Sequence, residues 1–240
     1  MMTFDLLVPT RGRPANMRRL AESIAATAIH PERVALWFYI DSDDFESIAV
    51  LPEMRTDFPA IRIEHVQSLR LPLVDCYNIL SGYAGDGILW SGGDDIVFRT
   101  QSWDVLVEAE FVTRPDKLVL VYGDDGLQHE RLATHPFVSR ESVNTLGYFY
   151  PEVPEGVNLT DVWLHSLYAS VGRLVYRPDI STDHLHWLRG LAQRDATYDG
   201  EYTNNFPRVM EAMRRNTPKL ARDGHKLKAA ILRERRSRQC

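Results

Sequence analysis

Gly87-Ile88-Leu89-Trp90-Ser91-Gly92-Gly93-Asp94-Asp95-Ile96-Val97-Phe98 is the stretch on which the reading of the fold turns. An apolar run from Ile88 to Trp90 meets two glycines, then two adjacent carboxylates, and the chain becomes apolar again at Ile96. Ending a buried strand in two negative charges is unfavourable unless a cation or a hydrogen-bonded loop offsets them. Hard oxygen ligands at such a strand end suit Mg²⁺ or Mn²⁺, ions that hold nucleotide phosphates. Glycine and aspartate are also the ordinary residues of a tight turn, so the stretch alone leaves both readings open.

Outward from it, apolar runs alternate with helical patterns. Phe4–Val8 reads as a strand ending in the loop Pro9-Thr10-Arg11-Gly12-Arg13, and Pro14 suits the first turn of a helix that places Leu20, Ile24 and Ala28 on one face. Strands are expected at Val34–Ile40, Ile61–Val66, Ile88–Ser91 and Leu118–Tyr122, with helices at Leu73–Tyr83 and Trp103–Val112. This alternation implies βαβ units and an α/β fold with a mostly parallel, Rossmann-like sheet flanked by helices. In such sheets ligands sit beyond the carboxyl ends of the strands. Those ends here carry Arg11 and Arg13, Asp41, Asp94-Asp95, and Asp124-Asp125. Two arginines and several acids on one edge predict a site for a polyanion and a metal.

Composition is that of a globular protein, and no apolar run approaches the roughly 20 residues of a membrane span. The amino terminus lacks a basic leader, and two cysteines, Cys76 and Cys240, make no disulfide framework, so a cytoplasmic setting is expected. Residues 206–240 carry eleven Lys or Arg against three acids, a balance of +8 that leaves −13 on the other 205 residues of a chain at −5. We therefore divide the chain into a domain at 1–205 and a basic, helical C-terminal extension at 206–240. The extension reads either as a solvated helix or as an arm for a polyanion such as DNA.

In the second half, Asn158-Leu159-Thr160-Asp161 opens a helix to about Val171, where Thr160 or Asp161 is a natural cap. Leu174–Arg177 reads as a strand, followed by a loop with His184 and His186, and Arg194-Asp195-Ala196-Thr197-Tyr198 is a candidate lid over donor phosphates.

The first loop is neither a P-loop nor a G-x-G-x-x-G fingerprint. Over roughly residues 4–200 the sequence resembles instead the GT-A nucleotide-sugar glycosyltransferases, in particular the large inverting family and its small phage and bacterial members. Pro9-Thr10-Arg11-Gly12-Arg13-Pro14 looks like the loop that holds base and ribose in that family. Asp41 matches the acid that contacts the base, and Asn78 the asparagine of the helix before the metal strand, which the resemblance places among the donor-binding residues. Gly93-Asp94-Asp95 stands in the place of the D-x-D motif, with Gly93 where its first acid belongs. The resemblance implies Asp95 as metal ligand, Asp94 as a donor-binding residue, and a histidine closing the metal site, His184 or else His186. Asp161, in Thr160-Asp161 where the family has Glu-Asp, takes the place of the general base.

The expected activity is metal-dependent, inverting transfer of a sugar from a nucleotide-sugar, with a UDP-sugar favoured, to an acceptor hydroxyl on a modified DNA base, a glycan or a protein. A sugar-phosphate nucleotidyltransferase on a similar sheet is the nearer rival, although its phosphate loop has more glycines than Pro9–Arg13. A non-catalytic nucleic-acid-binding protein using the basic tail is the more distant one. It shows no zinc, recognition-helix or aromatic RNA-binding signature.

Overall fold

A computed structural model describes residues 1–153, 157–185, 190 and 206–238. Eight strands form one sheet in the order β3-β2-β1-β4-β7-β6-β8-β5. They are β1 (Phe4–Thr10), β2 (Val34–Asp41), β3 (Arg62–Ser68), β4 (Ile88–Ser91), β5 (Ile96–Phe98), β6 (Leu120–Asp124), β7 (Phe137–Ser139) and β8 (Leu174–His184). β1 pairs in parallel with β2 and β4, as β2 does with β3 and β6 with β8. β7 runs antiparallel to β4 and β6, and β5 antiparallel to β8. The sheet is thus mostly parallel, with two short reversed strands that carry too few residues to announce themselves by periodicity.

Because both faces of the sheet are covered, its central strands are apolar apart from their ends and from the buried Asp5 of β1, which accepts from Trp37 Nε1 at 2.7 Å, and they alternate between two cores. Phe4, Leu6 and Val8 of β1 join Val34, Leu36, Phe38 and Ile40 of β2 in one core, whereas Leu7, Ala35, Trp37 and Tyr39 belong to the other. Helices α1 (Pro14–Thr27), α3 (Leu51–Asp57) and α5 (Trp103–Val112) close the first core through Met17, Leu20, Ile24, Met54, Trp103 and Phe111. A short helix, α2 (Phe45–Ala49), precedes α3 and is capped by Asp44, which accepts from the Ser47 amide. Helices α4 (Leu73–Tyr83), α6 (Arg140–Leu146) and α7 (Asp161–Ser170) close the second core.

The expected C-terminal extension is helical, as α8 (Phe206–Arg215) and α9 (Thr217–Ser237). It packs as a layer of the fold, for Ala212, Leu227 and Ile231 are buried in the second core and α9 lies against α6 and α7. Asp223, 2% exposed, is held by Lys219 at 3.0 Å, by Lys226 at 3.2 Å and by the Tyr148 hydroxyl, which itself accepts from Trp163. Among the described residues no helix is long and apolar enough to cross a membrane.

The strand expected at Leu174–Arg177 continues to His184. It pairs with β6 from Leu174↔Leu120 to Arg177↔Gly123, shifts register so that Ser181 meets Asp124, and then pairs with β5, where His184 lies opposite Ile96. A Cβ on Gly123 would meet the Ile180 carbonyl oxygen at 2.2 Å, so the crossing requires glycine there. This detour carries a residue from a distant part of the chain to the doorstep of Asp94-Asp95.

Candidate functional site

The carboxyl ends of β1, β2, β4, β6 and β8 share one edge of the sheet, and five loops converge on it. On the β1–β2 side, the Arg11 guanidinium forks onto Asp41, at 2.6 Å, and Asp43, at 2.8 Å. These hydrogen bonds raise the already high pKa of Arg11, first through Asp43 and then through Asp41. The Gly12 amide donates to Asp44 at 2.6 Å. Asp41, 6% exposed, is held by a permanent cation at the end of the β2 strand.

Asp94 turns toward that side. Its Oδ2 accepts from the Thr10 hydroxyl at 2.7 Å, and its Oδ1 from Arg13 at 3.1 Å and Asn16 Nδ2 at 3.2 Å. Burial raises its pKa, against the pull of Arg13. Thr10, Arg13 and Asp94 thus form one network, in which Asn16, given no role by the sequence, is a further donor.

Asp95 turns the other way. Its Oδ2 lies 3.4 Å from His184 Nε2, and its backbone carbonyl accepts from the Leu185 amide at 2.8 Å. A Cβ at position 93, where the D-x-D pattern has an acid, would sit 2.5 Å from Asp95 Oδ1, so a side chain there would turn the Asp95 carboxylate away from its present position. From the second core, Tyr77 donates to the Gly92 carbonyl at 2.8 Å and Tyr150 to Ser91 Oγ at 2.7 Å, fixing the loop from beneath.

His184 is bracketed by carboxylates, with Asp125 Oδ2 at 3.7 Å from Nδ1. Burial opposes charge on the ring, but Asp125 and Asp95 outweigh it and raise its pKa to about 9. The Asp125 carboxyl is also buried, yet His184, the amides of Leu127 and Gln128 and the Thr134 hydroxyl hold its pKa far below the usual carboxylate range. Asp124 faces outward to His129 Nδ1 at 2.8 Å. His135, which the sequence did not single out, stacks edge-on to His184 with ring centroids 5.0 Å apart. Burial and the neighbouring His184 charge push its pKa down to about 4, and its Nε2 has no hydrogen-bond partner among the described residues.

Asp161 opens α7, as the sequence predicted. Its Oδ1 accepts from the Thr160 hydroxyl at 3.0 Å and the Val162 amide at 3.1 Å, while Oδ2 makes no hydrogen bond among the described residues. Burial raises its pKa, and its charge is felt at His184, Tyr77 and Tyr150. Tyr77 also feels Asp95, so both carboxylates act on one neighbourhood. Asn78 has another occupation. Its Oδ1 accepts from the amides of Phe149 and Tyr150 at 2.9 and 3.0 Å, and its Nδ2 donates to the Tyr150 carbonyl at 2.9 Å. Both ends of its amide are therefore engaged in bolting α4 to the segment that carries Tyr150. Pro9 lies within β1, opposite Tyr39. His186 and Arg194-Asp195-Ala196-Thr197-Tyr198 lie outside the described residues.

Asp95 and His184 suit a divalent cation in donor chemistry and spacing. Their 3.4 Å separation is near the ~3 Å between adjacent ligand atoms of an octahedral ion bound at about 2.1 Å. Among the described residues no group of three or more His, Cys, Asp or Glu is arranged to hold a metal ion. These two would therefore supply part of a coordination shell and leave positions for phosphate oxygens and water.

No family model matches the chain, and no curated protein matches it. Solved structures do. The mannosyltransferase PcManGT of Pyrobaculum calidifontis, in complex with GDP-Man and Mn²⁺, is 14% identical over 95% of this chain and 74% of its own, with a TM-score of 0.60. S. aureus TarS 1–349 with UDP-GlcNAc is 14% identical over 98% of this chain and 73% of its own, with a TM-score of 0.63. A Bacillus anthracis protein named as a glucose-1-phosphate thymidylyltransferase aligns over 83% of this chain at 9% identity and a TM-score of 0.53. The chain has the GT-A type of fold, which glycosyltransferases and the nucleotidyltransferase share at this level of likeness.

Proposed function

We propose that this protein is a glycosyltransferase that uses a nucleotide-sugar donor and a divalent metal. The observation that carries the reading is the meeting of Asp95 and His184, 3.4 Å apart, from strand ends nearly ninety residues apart in sequence, beside the loop of β1. A turn needs no imidazole brought to it by a register-shifted strand.

In this reading Pro9, Thr10, Arg11 and Asp41 bound the nucleoside pocket, with the Arg11 fork holding Asp41 at a fixed position. Arg13 and Asp94 tie that pocket to the metal loop, and Asn78 supports it through Tyr150. Asp95 and His184 hold Mn²⁺ or Mg²⁺, which supplies charge neutralisation for the departing diphosphate. Imidazole among the ligands favours Mn²⁺. Asp161 accepts the acceptor hydroxyl proton on Oδ2 as that oxygen attacks the anomeric carbon from the face opposite the leaving group, which inverts the centre. Burial, which raises the Asp161 pKa, makes its carboxylate a better base. The relatives in fold are complexes with GDP-Man and UDP-GlcNAc. We favour a UDP-sugar for this chain and a cytoplasmic setting.

For the acceptor we propose a polyanion, DNA among the candidates, held by the outer face of α9. Arg222, Lys226, Lys228, Arg233, Arg235 and Arg236 are all exposed there, on a chain that is otherwise acidic. The apolar face of α9 is occupied by the second core, so this surface acts through charge and not by insertion into a membrane. Binding of duplex DNA should then weaken steeply with salt and be lost in the triple variant R222E/R233E/R236E. Salt-independent binding, or unchanged binding by that variant, would remove the polyanion from the proposal.

A thermal-shift panel of nucleoside diphosphates and nucleotide-sugars, with and without Mn²⁺, tests the donor reading. Stabilisation by one nucleotide-sugar that grows with Mn²⁺ is expected, and no shift by any member would overturn it. Because the nucleotidyltransferase shares the fold, the same protein incubated with a sugar phosphate and nucleoside triphosphates should release no pyrophosphate. Release would establish the rival.

A further inference from the structure

Asp125 opens the turn after β6 and is 3% exposed. Its Oδ1 accepts from the backbone amides of Leu127, Gln128 and His129 at 2.9, 2.7 and 3.2 Å, and its Oδ2 from Thr134 Oγ1 at 2.9 Å. Four donors from two loops therefore fix the carboxylate before it meets any other group. Its Oδ2 faces His184 Nδ1 at 3.7 Å, while His184 Nε2, across the ring, faces Asp95 Oδ2 at 3.4 Å. The backbone repeats the arrangement, for the His184 amide donates to the Asp125 carbonyl at 3.3 Å and the Leu185 amide to the Asp95 carbonyl at 2.8 Å. The imidazole thus lies between two strand ends, with one nitrogen facing each carboxylate.

The two carboxylates are not equivalent. Asp125 has Oδ1 surrounded by three amides and Oδ2 shared with a hydroxyl, which leaves little room for a cation. A carboxylate can only accept, so Asp125 favours the tautomer in which Nδ1 carries the hydrogen and Nε2 keeps its lone pair. A histidine that binds a metal through one nitrogen ordinarily donates its other N–H to such a group. We propose that Asp125 is a positioning residue that holds the Nδ1–H of His184 and so aims the Nε2 lone pair at the Asp95 side, where a divalent cation binds. The proposal rests on the reading of Asp95 and His184 as metal ligands and deepens it by giving a role to an acid outside the D-x-D position.

Asp125→Asn separates this role from that of a loop clamp. The asparagine Oδ1 still accepts from the three amides, and the Thr134 hydroxyl can turn to accept from Nδ2. Toward His184, however, the variant presents an N–H donor in place of an oxygen, which favours the opposite tautomer and protonates Nε2. With Mn²⁺ alone as the probe, followed by the electron paramagnetic resonance signal of the hydrated ion, affinity should fall about 10- to 100-fold in Asp125→Asn. The melting temperature of the metal-free variant should fall, because a buried charge facing His184 is lost, so the affinity is read at a temperature where circular dichroism shows the variant folded. Asp95→Asn, measured alongside, should lose Mn²⁺ binding.

Wild-type affinity in Asp125→Asn together with loss in Asp95→Asn would overturn the positioning role and leave the metal site standing. Unchanged Mn²⁺ binding in Asp95→Asn would overturn the metal reading itself. A second measurement needs no variant. Nitrogen chemical shifts of His184 in the wild-type protein loaded with Mg²⁺, a diamagnetic ion, should show the proton on Nδ1. A proton on Nε2 in that spectrum would also overturn the proposal.

Discussion

The strands of the first half of the chain and those of the second end in buried carboxylates, but they neutralise them with different cations. Around β1, β2 and the loop after β4, the partners are guanidinium groups, with Arg11 on Asp41 and Arg13 on Asp94. Around β5, β6 and β8 the partner is an imidazole, that of His184, between Asp95 and Asp125. The dividing line passes between two consecutive residues, Asp94 and Asp95. Guanidinium stays charged at any working pH, so the first half is a preset cradle. Imidazole gains and loses its proton and takes metals, so the second half responds to its surroundings. A nucleoside pocket needs the former property, and the reacting end of a transfer site the latter.

The comparison breaks first at Asp95. Asp95→Asn should abolish sugar transfer and metal-dependent donor binding, read by product formation and by the thermal shift with Mn²⁺. Asp94→Asn should instead weaken donor binding with or without metal. Equal behaviour of the two would erase the dividing line.

Next in size is Asp161→Asn, which should lower kcat by about 10²-fold or more while nucleotide affinity stays near that of the wild type. A parallel collapse of donor affinity would make Asp161 a cap or a donor contact.

Arg11→Ala should raise the Kd for the nucleoside diphosphate about tenfold, in line with losing charge-assisted hydrogen bonds that hold Asp41, and kcat at saturating donor should change little. A loss confined to kcat would move Arg11 from the cradle to the reacting end.

The smallest effect concerns acid. His135 has a folded pKa of about 4 against an ordinary 6.5, so protonation favours the unfolded chain. The stability this neutral ring contributes is complete above pH 6.5 and declines as the pH falls from there toward 4. Denaturation midpoints measured across that range should decline less in His135→Phe than in the wild type. An identical slope would assign the acid sensitivity elsewhere.

Much of this was legible in the sequence. Central strands buried on both faces produce unbroken apolar runs, and the runs at Phe4, Val34, Ile88 and Leu118 all became strands. The Asp doublets and the arginines after β1 were legible because charge at a strand end has few structural excuses. The partners of those charges were not legible in the residues themselves, and His184 was named only through the resemblance. His184 reaches Asp95 only through the register shift at Gly123/Asp124 and the three-residue strand β5, both set by tertiary packing. Asp125 looked like a turn residue, and it is one, yet its turn also faces Nδ1 of a histidine about sixty positions later. Asn78 was read by resemblance as a donor contact, whereas its amide is engaged with the Tyr150 backbone, which no local pattern could disclose. The basic tail was legible as charge but not as a packed layer, because Leu227 and Ile231 are sparse among the arginines and lysines.

That packed layer has a consequence for how the chain is made. The first core draws its buried residues from positions up to Ile180, whereas the second also needs Ala212, Leu227 and Ile231. Synthesis runs from the amino end at a handful of residues per second. One face of the sheet therefore has all of its parts outside the ribosome seconds before the other does. Until α9 emerges, Leu167 of α7 lacks part of its cover and Asp223 is not yet present to receive Tyr148, so the nascent protein passes through a stage with one face sealed and the other sticky.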